Sequence, residues 1–404
     1  MKIAFLSSEK LPVPPVQGGA VENWIYQVAK TLAQQRHYVL SLSIKAPEFS
    51  AKDYPDGVDY RFYKKGLLGK ILLCTYKLPF KKEGSRFYFI PYSFWAAWQA
   101  RRAKVQIIHI LSRPQFAFMI KLLNPQAKII LHLQNRSVVE PGGKLFKKKL
   151  FDRMDRIICC SHSLKEEILS LYPYLQNKTV VIYNGIDTNT FQISKIPPEK
   201  VEKIRAQYNI SREDKVLLFT GRLVEYKGVH ILISAFRNLL EAFPNLKLLI
   251  LGGVTYSQNQ ETPYIQELKK LSRSFEDRII FTGYVAHEEI PNFIATCDIF
   301  VVPSLWAEPF GVVNIEAMAM GKPVVAFARG GIKEIITHRH DGILLEDATN
   351  KALAKALTEL LDNPQLCQQL GQNARLTTEN RFAWNHVVHA LTQEYQHLTL
   401  RNSN

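Results

Sequence analysis

The stretch SLWAEPFGVVNIEAMAMG, residues 304–321, sets Glu308 and Glu316 eight positions apart in almost wholly apolar surroundings. The apolar run predicts a buried helix over 310–320. Pro309 stands at its start, where a missing N–H costs nothing. Glu308 then lies on the entering loop and Glu316 inside the helix. A carboxylate among Val312, Val313, Ile315, Met318 and Met320 is costly to bury unpaired, so Glu316 must face a partner, a cleft or a ligand. Glu308 has a plainer reading as a helix-start acid, worth about 0.3–1 kcal/mol. Gly311 argues for more, because a position without a side chain exposes backbone N–H groups. Two carboxylates that accept from hydroxyls, with a helix dipole that prefers anions, suit a ligand carrying sugar hydroxyls at both ends of a diphosphate.

Other segments add cations and a histidine. TGRLVEYKG brings Arg222 and Lys227 to a strand end. Arg clamps phosphate bidentately and Lys adds a compact charge, so the pair can neutralise a diphosphate without metal; the plainer reading is two surface cations on a solvated loop. No acidic pair resembling a divalent-metal site stands near them, so no metal is expected. His132 ends KIILHLQN beside polar Gln134 and Asn135, whereas His109, ending VQIIHIL, reads as structural. Gly18 and Gly19 occupy the loop before a helix, where backbone can approach a phosphate; they lack the spacing of a dinucleotide fingerprint.

These residues must be positioned by sheets. Short β-rich runs alternate with helical patterns: KIAFLSS, YVLSLSI, VQIIHIL, KIILHLQ, RIICCS and TVVIYN, then KVLLFTG, LKLLILGG, RIIFTGY, DIFVVPS and KPVVAF. The pattern restarts after the turn-rich NGIDTNTFQISKIPPEK, the expected linker. At 404 residues two α/β domains are expected, each a doubly wound parallel sheet that collects ligands at its strand ends. Their expected bounds are 1–186 and 187–380, with a last helical segment, 381–404, after the final strand.

Five cysteines, scattered except for Cys159 and Cys160, form neither a disulfide framework nor a zinc spacing and fit a reducing cytoplasm. The greasiest stretch, 87–100, is shorter than the about 18 residues a span needs and is bounded by Arg86 and Arg101. MKIAFLSSEK has too short an apolar core for a secretory signal. Charge divides unevenly: 29 Lys and Arg against 12 Asp and Glu up to residue 186, and 23 against 24 thereafter. Such a basic half attracts phosphate-rich partners: nucleic acid, an anionic bilayer or an acidic glycolipid.

Taken in order, Gly18-Gly19, His132, GRLVEYKG, EPFGVVNIEAMAMGKPVV and ARGGIKEII resemble the retaining nucleotide-sugar glycosyltransferases of family 4, over nearly the whole chain. The opening EKLPVPPVQGGA is similar to a subgroup associated with spore-coat or envelope polysaccharides. The resemblance implies the GT-B fold: two facing Rossmann-like domains with a cleft between them, the first for acceptor and the second for donor, and a C-terminal helix that crosses back. It implies a UDP-sugar donor, a hexose-type sugar, and a glycan or glycolipid acceptor such as lipopolysaccharide or capsule. It also implies that Arg222 and Lys227 hold the diphosphate with backbone at Gly18 and Gly19, and that Glu316 binds the ribose. Glu308 would hold the transferred sugar with Phe310, Gly311 and Val312, and His132 would contact that sugar near the reacting carbon.

Three other functions compete. A nucleotide-sugar 2-epimerase shares the fold; a dinucleotide-linked oxidoreductase lacks its fingerprint; a nucleic-acid-binding protein would explain the charge but shows no basic-aromatic platform. GGKLFKKKLFDRM, with Phe146, Leu150 and Met154 on one helical face and Lys147, Lys148 and Lys149 around it, joins residues 66–82 as a candidate membrane- or acceptor-binding segment. The expected location is the cytoplasm, peripheral to the inner face of the membrane.

Overall fold

A computed structural model describes residues 1–16, 19–45, 56–64, 89–136, 144–253 and 261–400. Its apolar runs of four to seven residues become strands whose side chains are buried on both faces, as a helix-covered parallel sheet requires. The first sheet comprises β1 (Lys2–Leu6), β2 (Tyr38–Ile44), β3 (Asp59–Tyr63), β4 (Ile107–Leu111), β5 (Lys128–Leu133), β6 (Arg156–Cys159) and β7 (Thr179–Val181). The second comprises β8 (Lys215–Thr220), β9 (Leu246–Leu251), β10 (Ile279–Gly283), β11 (Ile299–Val302), β12 (Val324–Phe327) and β13 (Ile343–Leu345).

Their orders are β3-β2-β1-β4-β5-β6-β7 and β10-β9-β8-β11-β12-β13, with every paired strand parallel. In both, the chain winds from a central strand to one edge and then returns across the middle. The switch points therefore lie between β1 and β4 and between β8 and β11, where loops diverge and leave a crevice. The chain divides into two compact units, Met1–Tyr183 with Val387–Asn404, and Asn184–His386.

Helices cover the sheets by single apolar stripes. In Ala20–Gln34 the buried side chains include Trp24, Ile25, Val28, Ala29 and Leu32, and in Val229–Arg237 they are Val229, Leu232, Ile233, Ala235 and Phe236. Thr349 and Asn363 start the helices Asn350–Leu361 and Pro364–Arg381 by accepting from Ala352 N and Leu366 N. Helix Trp384–Leu400 ends the described chain. Among the described residues no helix is long and apolar enough to cross a membrane.

Three sequence expectations need correcting. The strands β3 and β13 were not anticipated; both are sheet edges with partly exposed side chains, so neither shows a solid apolar run. The helix expected over 310–320 is Val312–Ala319, and Pro309 sits in the preceding loop because Gly311, at φ +97, breaks helical geometry as its N-cap. Helix Lys144–Phe151 stops before Met154, which is buried beyond its end. Residues 66–82 and Gly18 lie outside the described residues, as do the side chains of Phe146 and Lys147.

Candidate active site

In the second unit, β8 runs into a loop that ends in a single 3-10 turn, Glu225–Lys227. Gly228 closes it at φ +71, and a Cβ there would stand 1.9 Å from the carbonyl oxygen of Pro303. Only glycine lets this turn press against the loop after β11. The contact is sealed by Leu305 N donating to Tyr226 O at 2.9 Å and by the Tyr226 and Trp306 rings, 4.9 Å apart.

This zipper carries Lys227 to Glu308, 81 positions away, where its Nζ donates to Oε1. Ser304 Oγ donates to the same oxygen at 2.7 Å. Glu308 is 6% exposed, so its charge depends on these partners; removing one partner of a buried pair costs about 3–5 kcal/mol. Both donors use Oε1, and among the described residues Oε2 accepts no hydrogen bond. The carboxylate is thus fixed by one oxygen and presents the other.

The backbone of Glu308 is seated on two glycines. A Cβ on Gly330 would lie 2.3 Å from Glu308 O and 2.6 Å from its N, and Gly331 N donates to Glu308 O at 2.8 Å. Phe310 is buried with its ring edge-on to Phe382 at 5.8 Å, which anchors the loop from below. Gly311 then opens the helix Val312–Ala319, whose first N–H groups have no intrahelical acceptor and present the positive end of the dipole. Gly311 and Val312 are partly exposed at this end.

Glu316 lies in the second turn of that helix, also 6% exposed. Among the described residues its carboxylate has no hydrogen-bond partner. Burial holds its pKa above the usual carboxylate range, with His287 opposing the shift. A buried acid without a donor waits for one, and ligand hydroxyls supply donors. Arg222 is exposed, its Nη2 donating to Tyr226 Oη at 2.6 Å. The fold therefore gathers Arg222, Lys227, Glu308, Phe310, Gly311, Val312 and Glu316 in one unit, on strand-end loops and the helix they enter.

The remaining candidates belong to the first unit. His132 ends β5 fully buried, its Nε2 3.1 Å from Gln134 Nε2 and its ring edge-on to Trp24 at 4.6 Å. Burial pushes its pKa down to about 3, so it is a neutral imidazole. His109 stacks obliquely 5.3 Å away and meets Tyr395 Oη through Nδ1 at 2.6 Å. Burial and the neighbouring His132 hold His109 well below its ordinary pKa. Trp24 Nε1, His109 Nε2 and His132 Nδ1 are all buried without a hydrogen-bond partner among the described residues. Gly19, at φ +110, is the N-cap of Ala20–Gln34, and a Cβ there would strike Glu22 Oε2 at 2.4 Å. Lys148 and Lys149 are exposed on Lys144–Phe151.

Sequence reasoning missed several parts. Ser304 and Gly228 carried no periodic signal, and Gly330 and Gly331 had a place in the motif but no role. Asn314, fully buried with Nδ2 donating to Gly311 O at 2.8 Å, braces the helix start. Tyr395 emerged only through its contact with His109 across 286 positions.

Comparison with known proteins gives the family of the chain. Residues 18–190 match the family described as Glycosyltransferase Family 4, and residues 200–377 that described as Glycosyl transferases group 1. The chain is 32% identical over 401 residues to the putative glycosyltransferase YtcC of Bacillus subtilis, covering 98% of this chain and 92% of that one. It is 27% identical over 401 residues to lipopolysaccharide 1,2-N-acetylglucosaminetransferase of Salmonella typhimurium, covering 97% of each. The crystal structure of Anabaena Alr3699/HepE in complex with UDP and glucose superposes with a TM-score of 0.76 at 22% identity, covering 98% of this chain and 99% of that one. With two parallel-sheet units of this strand order and a relative matched nearly end to end, the chain belongs to the family 4 glycosyltransferases of the GT-B fold.

Proposed function

We propose that this glycosyltransferase moves a hexose-type sugar from a UDP-sugar to a hydroxyl of an envelope glycan or glycolipid, with retention of configuration and without metal. The observation that carries the reading is Glu308, locked through Oε1 by Lys227 and Ser304 with Oε2 left to accept from a sugar hydroxyl. Glu316, buried on the helix that this loop enters and without a donor among the described residues, suits the ribose hydroxyls, and the helix N-terminus with Arg222 and Lys227 suits the diphosphate. The UDP and glucose of the Anabaena complex and the saccharide product implied by the Salmonella relative's name support the donor and acceptor classes.

In this mechanism the bond between the anomeric carbon and the diphosphate oxygen breaks as Arg222 and Lys227 absorb the charge on the leaving group. The acceptor oxygen bonds to that carbon on the same face, and its proton passes to the leaving phosphate. The family resemblance gives His132 a contact with the transferred sugar; as a buried, neutral imidazole it would bring no charge to that contact. Catalysis then rests on preorganised electrostatics and positioning.

The test is UDP release from a panel of UDP-sugars with and without saccharide acceptors, followed by NMR assignment of the new anomeric centre. Acceptor-dependent release with the donor's configuration, surviving EDTA, is expected. An inverted product, or activity abolished by EDTA and restored by magnesium or manganese, overturns the retaining or metal-free part. Free 2-epimerised sugar made without acceptor overturns the whole reading.

A further inference from the structure

Between Glu83 and Glu140 the sequence contains no acidic residue but eight Lys and Arg. Two helices from this stretch, Phe89–Ala103 and Ala117–Leu123, pack side by side in the first unit. Arg101 Nη1 donates to Leu123 O at 2.8 Å, and Asn124 Nδ2 to Ala97 O at 3.0 Å. Their inner faces belong to the core, through Tyr92, Ala96, Ala97 and Ala100 from one and Ala117 and Ile120 from the other.

Their outer faces are not the polar surface such helices normally show. Phe94 and Trp98, one turn apart, are 50% and 48% exposed, and Phe118 and Leu122, also one turn apart, are 49% and 65% exposed. Single exposed apolar residues are ordinary; an exposed apolar stripe on each of two helices packed together marks an interaction surface. Cations frame them. Arg101 and Arg102 follow Trp98 exposed, and the Arg153 guanidinium lies over the Phe118 ring at 5.3 Å. Lys148 and Lys149 stand exposed on Lys144–Phe151, which touches the Pro114–Phe116 turn leading into the second helix. Lys148 lies over the Tyr174 ring at 4.9 Å and also pairs with Asp152 at 3.2 Å.

We propose that this face docks on an anionic lipid bilayer, with Phe94, Trp98, Phe118 and Leu122 entering the headgroup region and Arg102, Arg153, Lys148 and Lys149 meeting lipid phosphates. Charge complementarity selects the occupant. A second copy meeting the same face would set these cations against themselves. A nucleic acid would satisfy the cations but would leave Leu122, the most exposed of the four, without a stacking partner. A bilayer accepts both: aliphatic and aromatic side chains at its interface and cations at its phosphates. The surface implies an acceptor presented at a membrane, which deepens the glycolipid reading while standing on residues the donor chemistry does not use.

The test is co-sedimentation of the full chain with vesicles of phosphatidylcholine alone and with about one third phosphatidylglycerol, at low and high salt. Binding is expected only to the anionic vesicles and is weakened by salt. The double variant Trp98→Ser, Leu122→Ser should lower affinity about tenfold or more, and the triple variant Arg102→Gln, Lys148→Gln, Lys149→Gln about 100-fold at low salt. Both variants should keep wild-type thermal stability and wild-type donor hydrolysis in solution, so a failure of docking and a failure of the transferase reading are read separately. No binding at low salt, binding indifferent to the Trp98 and Leu122 changes, displacement by single-stranded RNA at equal charge, or a lipid-free dimer that those two changes dissolve would each overturn the proposal.

Discussion

At the switch between β8 and β11 the second unit gathers opposite charges, Lys227 on Glu308, with Ser304 beside them. At the matching region of the first unit the chain buries neutral rings instead: Trp24, His109 and His132, closed by Tyr395. The strand orders around the two are the same in kind, so topology dictates where a site forms and not what fills it. The charged arrangement can exchange a partner for a ligand, because among the described residues Glu308 is held through Oε1. The neutral arrangement leaves three ring nitrogens without partners among the described residues and tolerates this only while no imidazole gains a proton.

Glu308→Gln gives the largest expected break in this contrast. An amide keeps the shape but loses the charge that answers the transferred sugar, so kcat should fall about 1000-fold. UDP affinity, measured by calorimetry, should change by less than about threefold; unchanged turnover would remove Glu308 from the chemistry. Lys227→Ala acts on the same pair from its other side. It leaves a nearly buried carboxylate held by Ser304 alone, and the melting temperature should drop by an amount corresponding to about 3 kcal/mol.

The neutral cluster should break with acid. Folded-state pKa values of about 3 for His132 and well below 6.5 for His109 mean that below pH 6.5 the unfolded chain binds protons that the folded chain refuses. Stability is therefore full above pH 6.5 and is lost as pH falls, by about 1.4 kcal/mol per unit for each such histidine. Denaturant melts of the wild type and of His132→Asn between pH 7 and pH 5 check this; equal slopes would show that His132 is not buried neutral. Glu316 carries the opposite sign. Its raised pKa means that ionisation in the fold is resisted, and its stabilising contribution is lost as pH rises through that value. Glu316→Gln should raise the melting temperature at neutral pH by about 2–4 °C while weakening UDP relative to uracil about tenfold, since the ribose loses its charged acceptor. A lower melting temperature would mean that the carboxylate has a partner in the fold.

Much of this architecture could be seen in the residue order. Strands such as β8 and β9 are continuous apolar runs because both faces are covered, and the carboxylate pair stood out against apolar neighbours. The edges β3 and β13 were hidden because a half-covered strand mixes polar residues into a short run. The helix start shifted because sequence pattern weighs Pro309 and Phe310 without knowing that Gly311 takes φ +97. Contacts across 81 and 286 positions, Lys227 to Glu308 and His109 to Tyr395, depend on how loops and helices meet in space, which no local spacing records.

The smallest expected effect separates the two cations that sequence treated as a pair. Lys227 is partly buried on Glu308, whereas Arg222 is exposed and, among the described residues, is held by Tyr226. Exposed cations contribute little to stability, so Arg222→Ala should leave the melting temperature within about 1 °C of wild type. Its guanidinium is nevertheless a bidentate donor at the strand end where a diphosphate would lie. UDP should therefore bind about tenfold more weakly to the variant while uridine binds as before. Paired titrations of UDP and uridine settle the point: a parallel loss of both ligands would make Arg222 a support for the Tyr226 turn, and the diphosphate would then rest on Lys227 and the helix N-terminus.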